Sequence, residues 1–406
     1  MTGPTPAIGH GLAERVRHRF AVSGTAATAA AVMSAVRAEP GVVALGGTGL
    51  LRLADEVHRD LAGAGPLGPL IADPSVTDVL VNGPDEVWVD RGRGLARVSV
   101  RLGSAEDVRR LAQRLAAACG RRLDDSCPYA DVRMPDGTRL HAVLPPIANG
   151  GPYLSLRTFR RRPFTLRELV AAHTVAPEAA DLLAAVVTAR LAYLVTGGTG
   201  SGKTTLLNGL LALVPEGERI VLVEDAAELA PRHPHVVGLQ ARMSNVEGAG
   251  AVPLRELVRQ ALRMRPDRLI VGECRGPEIV DLLMALNTGH EGGAGTLHAN
   301  AATDVPARLE ALGLLGGLTR SALHAQVAAA LQVVVHLRRT ASGRVVDEIS
   351  LLLPGGPDRL VRTVPVWRLR SGPGAAAAAM ARMLAARGVT CPAVLRVPAE
   401  VEGGGR

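Results

Sequence analysis

The sequence predicts an α/β protein: a larger domain built on a mostly parallel sheet, preceded by a smaller α+β domain. Two observations carry that prediction. In the second half, four short apolar runs, "LAYLVT" (191–196), "RIVLVED" (219–225), "DRLIVGE" (267–273) and "GAGTLHA" (293–299), alternate with amphipathic patterns such as "PLRELVRQALRM" and "PEIVDLLMAL". Strands with no polar face, separated by helix-length segments, pair in parallel beneath helices on both faces. In the first half, strand-like runs come instead in pairs around Gly/Pro turns, beside one amphipathic helix, which is the pattern of an α+β module.

Taken in order, residues 1–55 hold a short amphipathic stretch (Leu12 to Val22), an Ala-rich segment and "GGTG", and they predict helix with loose ends. The helical pattern "LLRLADEVHRDLAG" stops at the breaker string "GAGPLGPL". In the α+β domain, residues 56–160, Val79–Val81 and Val87–Val89 form a strand pair around "NGPDE". "SAEDVRRLAQRLAAACG" is a helix with Ser104 as N-cap, Glu106 and Asp107 in its first turn, and Gly120 as its stop. Strands resume in "ADVRMPDGTRLHAVLPP" and "YLSLRTF". Residues 161–176 read as a linker and 177–350 as the parallel-sheet domain. A further helix and an "SGR" hairpin signal follow residue 320, and 351–406 read as a partly disordered extension because the Gly/Ala/Pro content rises from 371.

Composition excludes several classes. A chain that is 47% hydrophobic and 21% charged is neither disordered nor a membrane protein. No apolar run reaches the ~18 residues of a spanning helix, because Glu178, Asp181 and Arg190 interrupt the best candidate. The N-terminus lacks the basic cap and apolar core of a signal peptide, so a cytosolic location is expected. Cys119, Cys127, Cys274 and Cys391 are scattered, without zinc-ligand spacing, and are expected as reduced thiols. The net charge of +8 invites a nucleic-acid partner, but only eight aromatic residues (three Phe, two Trp, three Tyr) are available for stacking, so nucleic acid is not an expected partner.

The chemistry begins at "GGTGSGKT" (197–204), which fits G-x4-G-K-[ST] between a buried strand and a helix. Gly197, Gly198, Thr199, Gly200, Ser201 and Gly202 let backbone N–H groups surround a phosphate at the helix N-terminus. Lys203 reaches toward β- and γ-phosphates, the Thr204 hydroxyl is placed for Mg²⁺, and Thr205 follows in the same turn. Lys203 is the only lysine among 46 basic residues. An ammonium is a compact point charge, whereas a guanidinium is a broad fork that a crowded cradle excludes.

Acids end two of the buried strands: Glu224 and Asp225, followed by Glu228, after the second, and Glu273 after the third. Ligands of open parallel sheets bind beyond the carboxyl ends of the strands, so these acids share an edge with the phosphate loop. There one holds Mg²⁺ through water, and another orients or deprotonates the attacking water. Strand-end acids also serve as caps of the next helix. In "NTGHEGGAGTLHAN", His290 and His298 lie eight apart without a third ligand, which does not make a metal site. His298 falls at a strand end, where an imidazole contacts a γ-phosphate.

In that order, "GGTGSGKTT", "VEDAAEL", "ALRMRPDRLIVGECRG" and "NTGHEGGAGTLHAN" resemble the Walker A, Asp box, Walker B and His box of the type II/IV secretion ATPases. The subgroup they are most similar to is the CpaF-like ATPases of tight-adherence (Flp) pili, and "DPSVTDVLVNGPDEVWVDRGRGL" extends the likeness upstream. The resemblance implies a hexamer with ATP and Mg²⁺ held between an N-terminal domain and a RecA-like P-loop domain. It implies a motor that pushes an inner-membrane platform protein, peripheral at the inner face of the cytoplasmic membrane, and so drives pilus assembly or secretion. It also implies Lys203, Glu224, Glu273 and His298 as catalytic, Thr204 and Glu273 at the Mg²⁺, and Arg133 and Arg157 as arginines that reach the phosphates.

The sequence departs from that family at "GGAGT" (292–296), where a pattern such as "GSMST" is usual, and at Gly238 and Gln240. A conjugative type IV secretion ATPase, a RecA-like nucleic-acid translocase and a scaffold gated by ATP without hydrolysis are the competing readings. Zinc-binding CxxC pairs of the general-secretion branch are absent from the sequence.

Overall fold

A computed structural model describes residues 29–92, 94–158, 163–242, 250–341 and 343–396, with positions 11–12, 15–16 and 19–20. The chain divides into two compact units, 1–161 and 162–406.

The first unit opens with helices α1 (Ala29–Arg37) and α2 (Gly46–Ala62). With Leu12, Val16 and Phe20, spaced by four on a preceding helical stretch, they bury Val32, Val36, Leu53 and Val57 in a core of their own. Glu39, 5% exposed, is fixed there by Arg15 Nε at 2.8 Å and Arg19 Nη2 at 2.9 Å. The described part of this segment is therefore packed rather than loose, because its apolar residues recur at helical spacing. A short helix α3 (Gly68–Ala72) leads to β1 (Asp78–Gly83), β2 (Glu86–Asp90) and β3 (Leu95–Val98), then to α4 (Ala105–Ala118) and β4 (Tyr129–Arg133), β5 (Arg139–Val143) and β6 (Tyr153–Arg157). Ser104 and Asp107 close a reciprocal capping box on α4. The six strands form an antiparallel sheet in the order β3-β2-β1-β6-β5-β4. Alternate residues of its inner strands, Val79, Val81, Val87, Val89, Leu140 and Leu154, point into the core with Val108 and Leu111 of α4.

The second unit begins with α5 (Leu166–Ala171), which has its own capping box from Thr165 and Glu168 and buries Leu166 and Leu169. The expected linker is thus a helix of the folded unit, since two leucines three apart give it a face to bury. There follow α6 (Pro177–Thr188), β7 (Tyr193–Gly197), α7 (Lys203–Leu211), β8 (Ile220–Glu224), β9 (Val236–Gln240), α8 (Leu254–Ala261), β10 (Arg268–Cys274), α9 (Glu278–Asn287), β11 (Ala294–Leu297), α10 (Val305–Leu315) and α11 (Arg320–Ala330). After them come β12 (Val333–Thr340), β13 (Gly343–Gly355), β14 (Leu360–Arg368), β15 (Gly372–Pro373) and α12 (Ala377–Ala386).

The nine strands order as β15-β14-β13-β12-β7-β11-β10-β8-β9. From β12 to β9 every pair is parallel, and from β12 to β15 every pair is antiparallel. The four apolar runs form β7, β8, β10 and β11 side by side, and helices bury a core on each face. The expected extension from 351 is corrected: Leu351, Leu352, Trp367, Met380 and Leu384 are buried, so residues 351–386 complete the sheet and cover one of its faces. Alanine, which enriched that segment's composition, is the strongest helix former and builds α12. Residues 397–406 lie outside the described residues. Among the described residues no helix is long and apolar enough to cross a membrane.

Candidate nucleotide site

The site sits where β7 ends and α7 begins. Gly197, Gly200 and Gly202 take φ values of +149°, +69° and +98°, and a Cβ on Gly197 would stand 2.5 Å from the Leu337 carbonyl oxygen. The loop therefore follows a path closed to other residues, and it ends with Gly202 as the N-cap of a nine-residue helix. Lys203 is 8% exposed, and its ammonium donates to the Gly197 and Gly198 carbonyls at 3.0 Å each. Ser201 Oγ is buried with no hydrogen-bond partner among the described residues. An orphaned hydroxyl, a compact ammonium and a helix N-terminus around one ring of backbone are a donor set that fits a phosphate chain.

His298, just beyond β11, stands with Nε2 at 3.4 Å from Lys203 Nζ and 2.5 Å from Glu273 Oε1. Burial pulls the imidazole's pKa below its ordinary value, the nearby Lys203 charge pulls it further, and Glu273 opposes both. Glu273 also pairs with Arg275. A cleft of about 420 Å³ opens here, lined by Gly198, Thr199, His298, Asn300, Asp304 and Arg308 among others.

The two acids after β8 part company. Glu224 is 4% exposed, and its Oε1 accepts the N–H groups of Glu228 and Leu229 at 2.9 Å each. Its stem lies so close to β10 that a Cβ on Gly272 would come within 2.6 Å of it. Glu228 instead brings Oε2 to 3.5 Å from the Thr204 hydroxyl. The acid with a hydrogen bond to the Thr204 hydroxyl is thus Glu228, to which the sequence alone assigned no role of its own. The signal was its position four residues after Glu224, where a carboxylate that binds the N–H groups of Glu228 and Leu229 turns the chain back toward Asn208 of α7.

Lys203, Thr204, Glu228, Glu273 and His298 are brought together in the second unit. Arg133 and Arg157 belong to the first, where the register sets Arg133 opposite Arg139 and Arg139 opposite Arg157 across β4, β5 and β6. His290 lies at the end of α9, with Nδ1 3.2 Å from the Ala285 carbonyl. The departure at "GGAGT" has a steric reason: a Cβ on Gly293 would meet Leu286 at 2.6 Å and the Leu269 carbonyl at 2.7 Å, and one on Gly295 the Val271 carbonyl at 3.1 Å.

Fold and loop together define a P-loop domain on a RecA-like sheet, preceded by an α+β domain. Residues 60–356 match the model of the type II/IV secretion system protein family, and the chain belongs to that family. It is 55% identical over 350 residues to a putative conjugal transfer protein of Mycobacterium tuberculosis, covering 84% of this chain and 99% of the relative. It is 33% identical over 315 residues to the type IV secretion system protein PtlH of Bordetella pertussis, covering 69% and 92%. Among solved structures, the pilus retraction motor PilT with bound ADP shares the fold at a TM-score of 0.52 and 22% identity, over 72% of this chain and 83% of that one.

Proposed function

We propose that the protein is an ATP-hydrolysing motor of a pilus-assembly or secretion system, working as a hexamer against a platform protein at the inner face of the cytoplasmic membrane. The observation that carries this reading is the enclosure of Lys203 in a glycine loop beside Thr204, Glu228, Glu273 and His298, in a chain of the secretion family. Lys203 turns from the Gly197 and Gly198 carbonyls to the β- and γ-phosphates of ATP, and the α7 N-terminus neutralises the same charge. Thr204 and, through water, Glu273 would hold Mg²⁺, which when bound would supply charge neutralisation on those phosphates. Glu228 orients the attacking water or accepts its proton, while Glu224 holds the segment that carries Glu228. His298 reads the γ-phosphate from the Glu273 side. Arg133 and Arg157 are arginines that reach the transferring phosphoryl group in the assembled ring.

Turnover measured on wild type beside Lys203→Ala and Glu273→Gln tests the enzyme; activity insensitive to both changes would remove the site assignment. Deleting the gene tests the system: loss of a surface filament or a secreted protein supports a motor of that kind, and loss of DNA transfer alone moves the reading to the conjugative branch. A nucleic-acid translocase has one observation in its favour. Three of the eight aromatic residues, Trp88, Tyr129 and Tyr153, share the non-core face of the first unit's sheet with Arg133, Arg139 and Arg157. Single-stranded DNA that stimulates turnover with a steep salt dependence would favour that reading.

A further inference from the structure

A loop that surrounds an anion with N–H groups turns its carbonyls outward, and those carbonyls need donors of their own. In the Gly197–Gly202 loop two cations serve them. Lys203 Nζ takes the Gly197 and Gly198 carbonyls, and Arg344 Nε donates to the Gly200 carbonyl at 2.7 Å. Arg344 is 144 residues further along the chain, at the start of β13. The register explains how it arrives there. Strand β12 runs parallel to β7 with His336 opposite Thr196 and Leu337 opposite Gly197. The next rungs of the β12–β13 hairpin therefore run past the end of β7 and along the loop. Arg339 and Arg344 are directly opposite each other on one of those rungs.

The contact is close. A Cβ on Gly202 would stand 3.2 Å from the Cδ of Arg344, and one on Gly200 would stand 3.9 Å from Nη1 of Arg339. Two arginines facing each other across a ladder repel, so the rung costs the hairpin stability. A glycine in the left-handed region has many alternatives to its observed conformation, and a bound carbonyl removes them.

We propose that Arg344 is a positioning residue of the nucleotide site and that the β12–β13 hairpin is a strap over the phosphate loop. Arg344 holds the Gly200 carbonyl outward, so the loop meets its anion already arranged. The proposal rests on the reading of that loop as an ATP site. Arg344 acts on the loop rather than on the reacting atoms, so it serves ground state and transition state alike, and its loss is read in KM and not in kcat.

The test uses the full chain, titrated with fluorescent mant-ADP and assayed for ATP turnover. Arg344→Ala is expected to raise the Kd for mant-ADP and the KM for ATP about tenfold, the worth of one hydrogen bond from a charged donor, with kcat changed less than about twofold. Arg344→Lys, which still donates, is expected to recover most of the loss. Arg344→Gln keeps most of the stem over Gly202 and carries the alanine variant's expectation should that variant not fold. Arg338→Ala is the control, because it removes the Arg338–Asp347 pair of the same hairpin (2.8 Å) without touching the loop, and it is expected to leave KM unchanged. Wild-type affinity in Arg344→Ala and Arg344→Gln, an equal rise of KM in Arg338→Ala, or a fall in kcat at constant KM would each overturn the proposal. A wild-type chain that binds no mant-ADP overturns the nucleotide reading itself, which is a different result from wild-type and variant binding alike.

Discussion

Two cations are buried at opposite ends of one parallel sheet, and different partners hold them. Arg268, the first residue of β10, is 1% exposed; Glu218 binds its Nε at 2.6 Å, and the Gly292 and Val187 carbonyls take its terminal nitrogens. Lys203, past the carboxyl end of β7, is 8% exposed and is hydrogen-bonded to two carbonyls of its own loop. A carboxylate neutralises a buried guanidinium within the fold. Carbonyls solvate an ammonium through dipoles that an anionic phosphate replaces. Burial of a cation therefore does not by itself mark a functional site; the kind of acceptor around it is what differs between Arg268, neutralised within the fold, and Lys203, left to carbonyls that an anion can replace.

The comparison breaks first at the charge-conserving variant. Lys203→Arg is expected to reduce ATP turnover by about 10²–10³-fold, the usual loss when one preorganised donor to a developing charge is misplaced, with thermal melting unchanged. Arg268→Met is expected to do the reverse: it loses about 3 kcal/mol of stability, because Glu218 keeps only Arg190 (3.1 Å) as a partner, while turnover of the folded fraction persists. Denaturant melts and steady-state assays on both proteins decide it. A Lys203→Arg chain with wild-type turnover would refute the steric argument for the lone lysine.

The acids after β8 sharpen the same distinction over a shorter distance. Glu228→Gln is expected to lower kcat by about 10²-fold with little change in stability, as for a lost general base. Glu224→Ala is expected to lower stability by about 1–3 kcal/mol for each of the two N–H groups it strands, and to lower kcat only through the displaced Glu228. If Glu224→Ala proved the more damaging to kcat in a chain of unaltered stability, the two roles would have to be exchanged.

What the sequence made legible and what it hid follow from the same physics. The phosphate loop and the strands β7, β8, β10 and β11 were readable because local constraints specify them: glycines at left-handed positions, a lysine at fixed spacing, apolar runs with no polar face. The sheet beyond β7 was not, because β12, β13 and β14 are defined by whom they pair with, and their mixed faces resemble a surface hairpin until the neighbours are known. Arg344 is the sharpest case, since nothing within ten residues of it hints at Gly200. Glu224 and Glu228 were not separable for a related reason: both acids lie at the same edge of the sheet, and only the direction of each side chain shows that Glu224 accepts backbone N–H groups while Glu228 reaches the Thr204 hydroxyl. The glycines at 293 and 295 read as losses from a family pattern, whereas a Cβ at 293 would overlap Leu286 and the Leu269 carbonyl and one at 295 would press on the Val271 carbonyl.

The smallest effect tests whether Lys203 and Glu273 act on His298 as opposed charges. Burial and Lys203 lower the imidazole's pKa from 6.5, and Glu273 raises it. A lowered pKa means that the ring is more largely neutral at pH 7 than an ordinary imidazole and takes up its proton at a lower pH. Histidine NMR titrations, with His298→Gln to assign the signal, are expected to place the wild-type midpoint below the ordinary value. Lys203→Ala is expected to move it up, because a positive neighbour is lost, and Glu273→Gln to move it down, because the one group favouring the imidazolium is gone. A wild-type midpoint above 6.5, or shifts of the same sign in the two variants, would show that a different set of charges governs the ring.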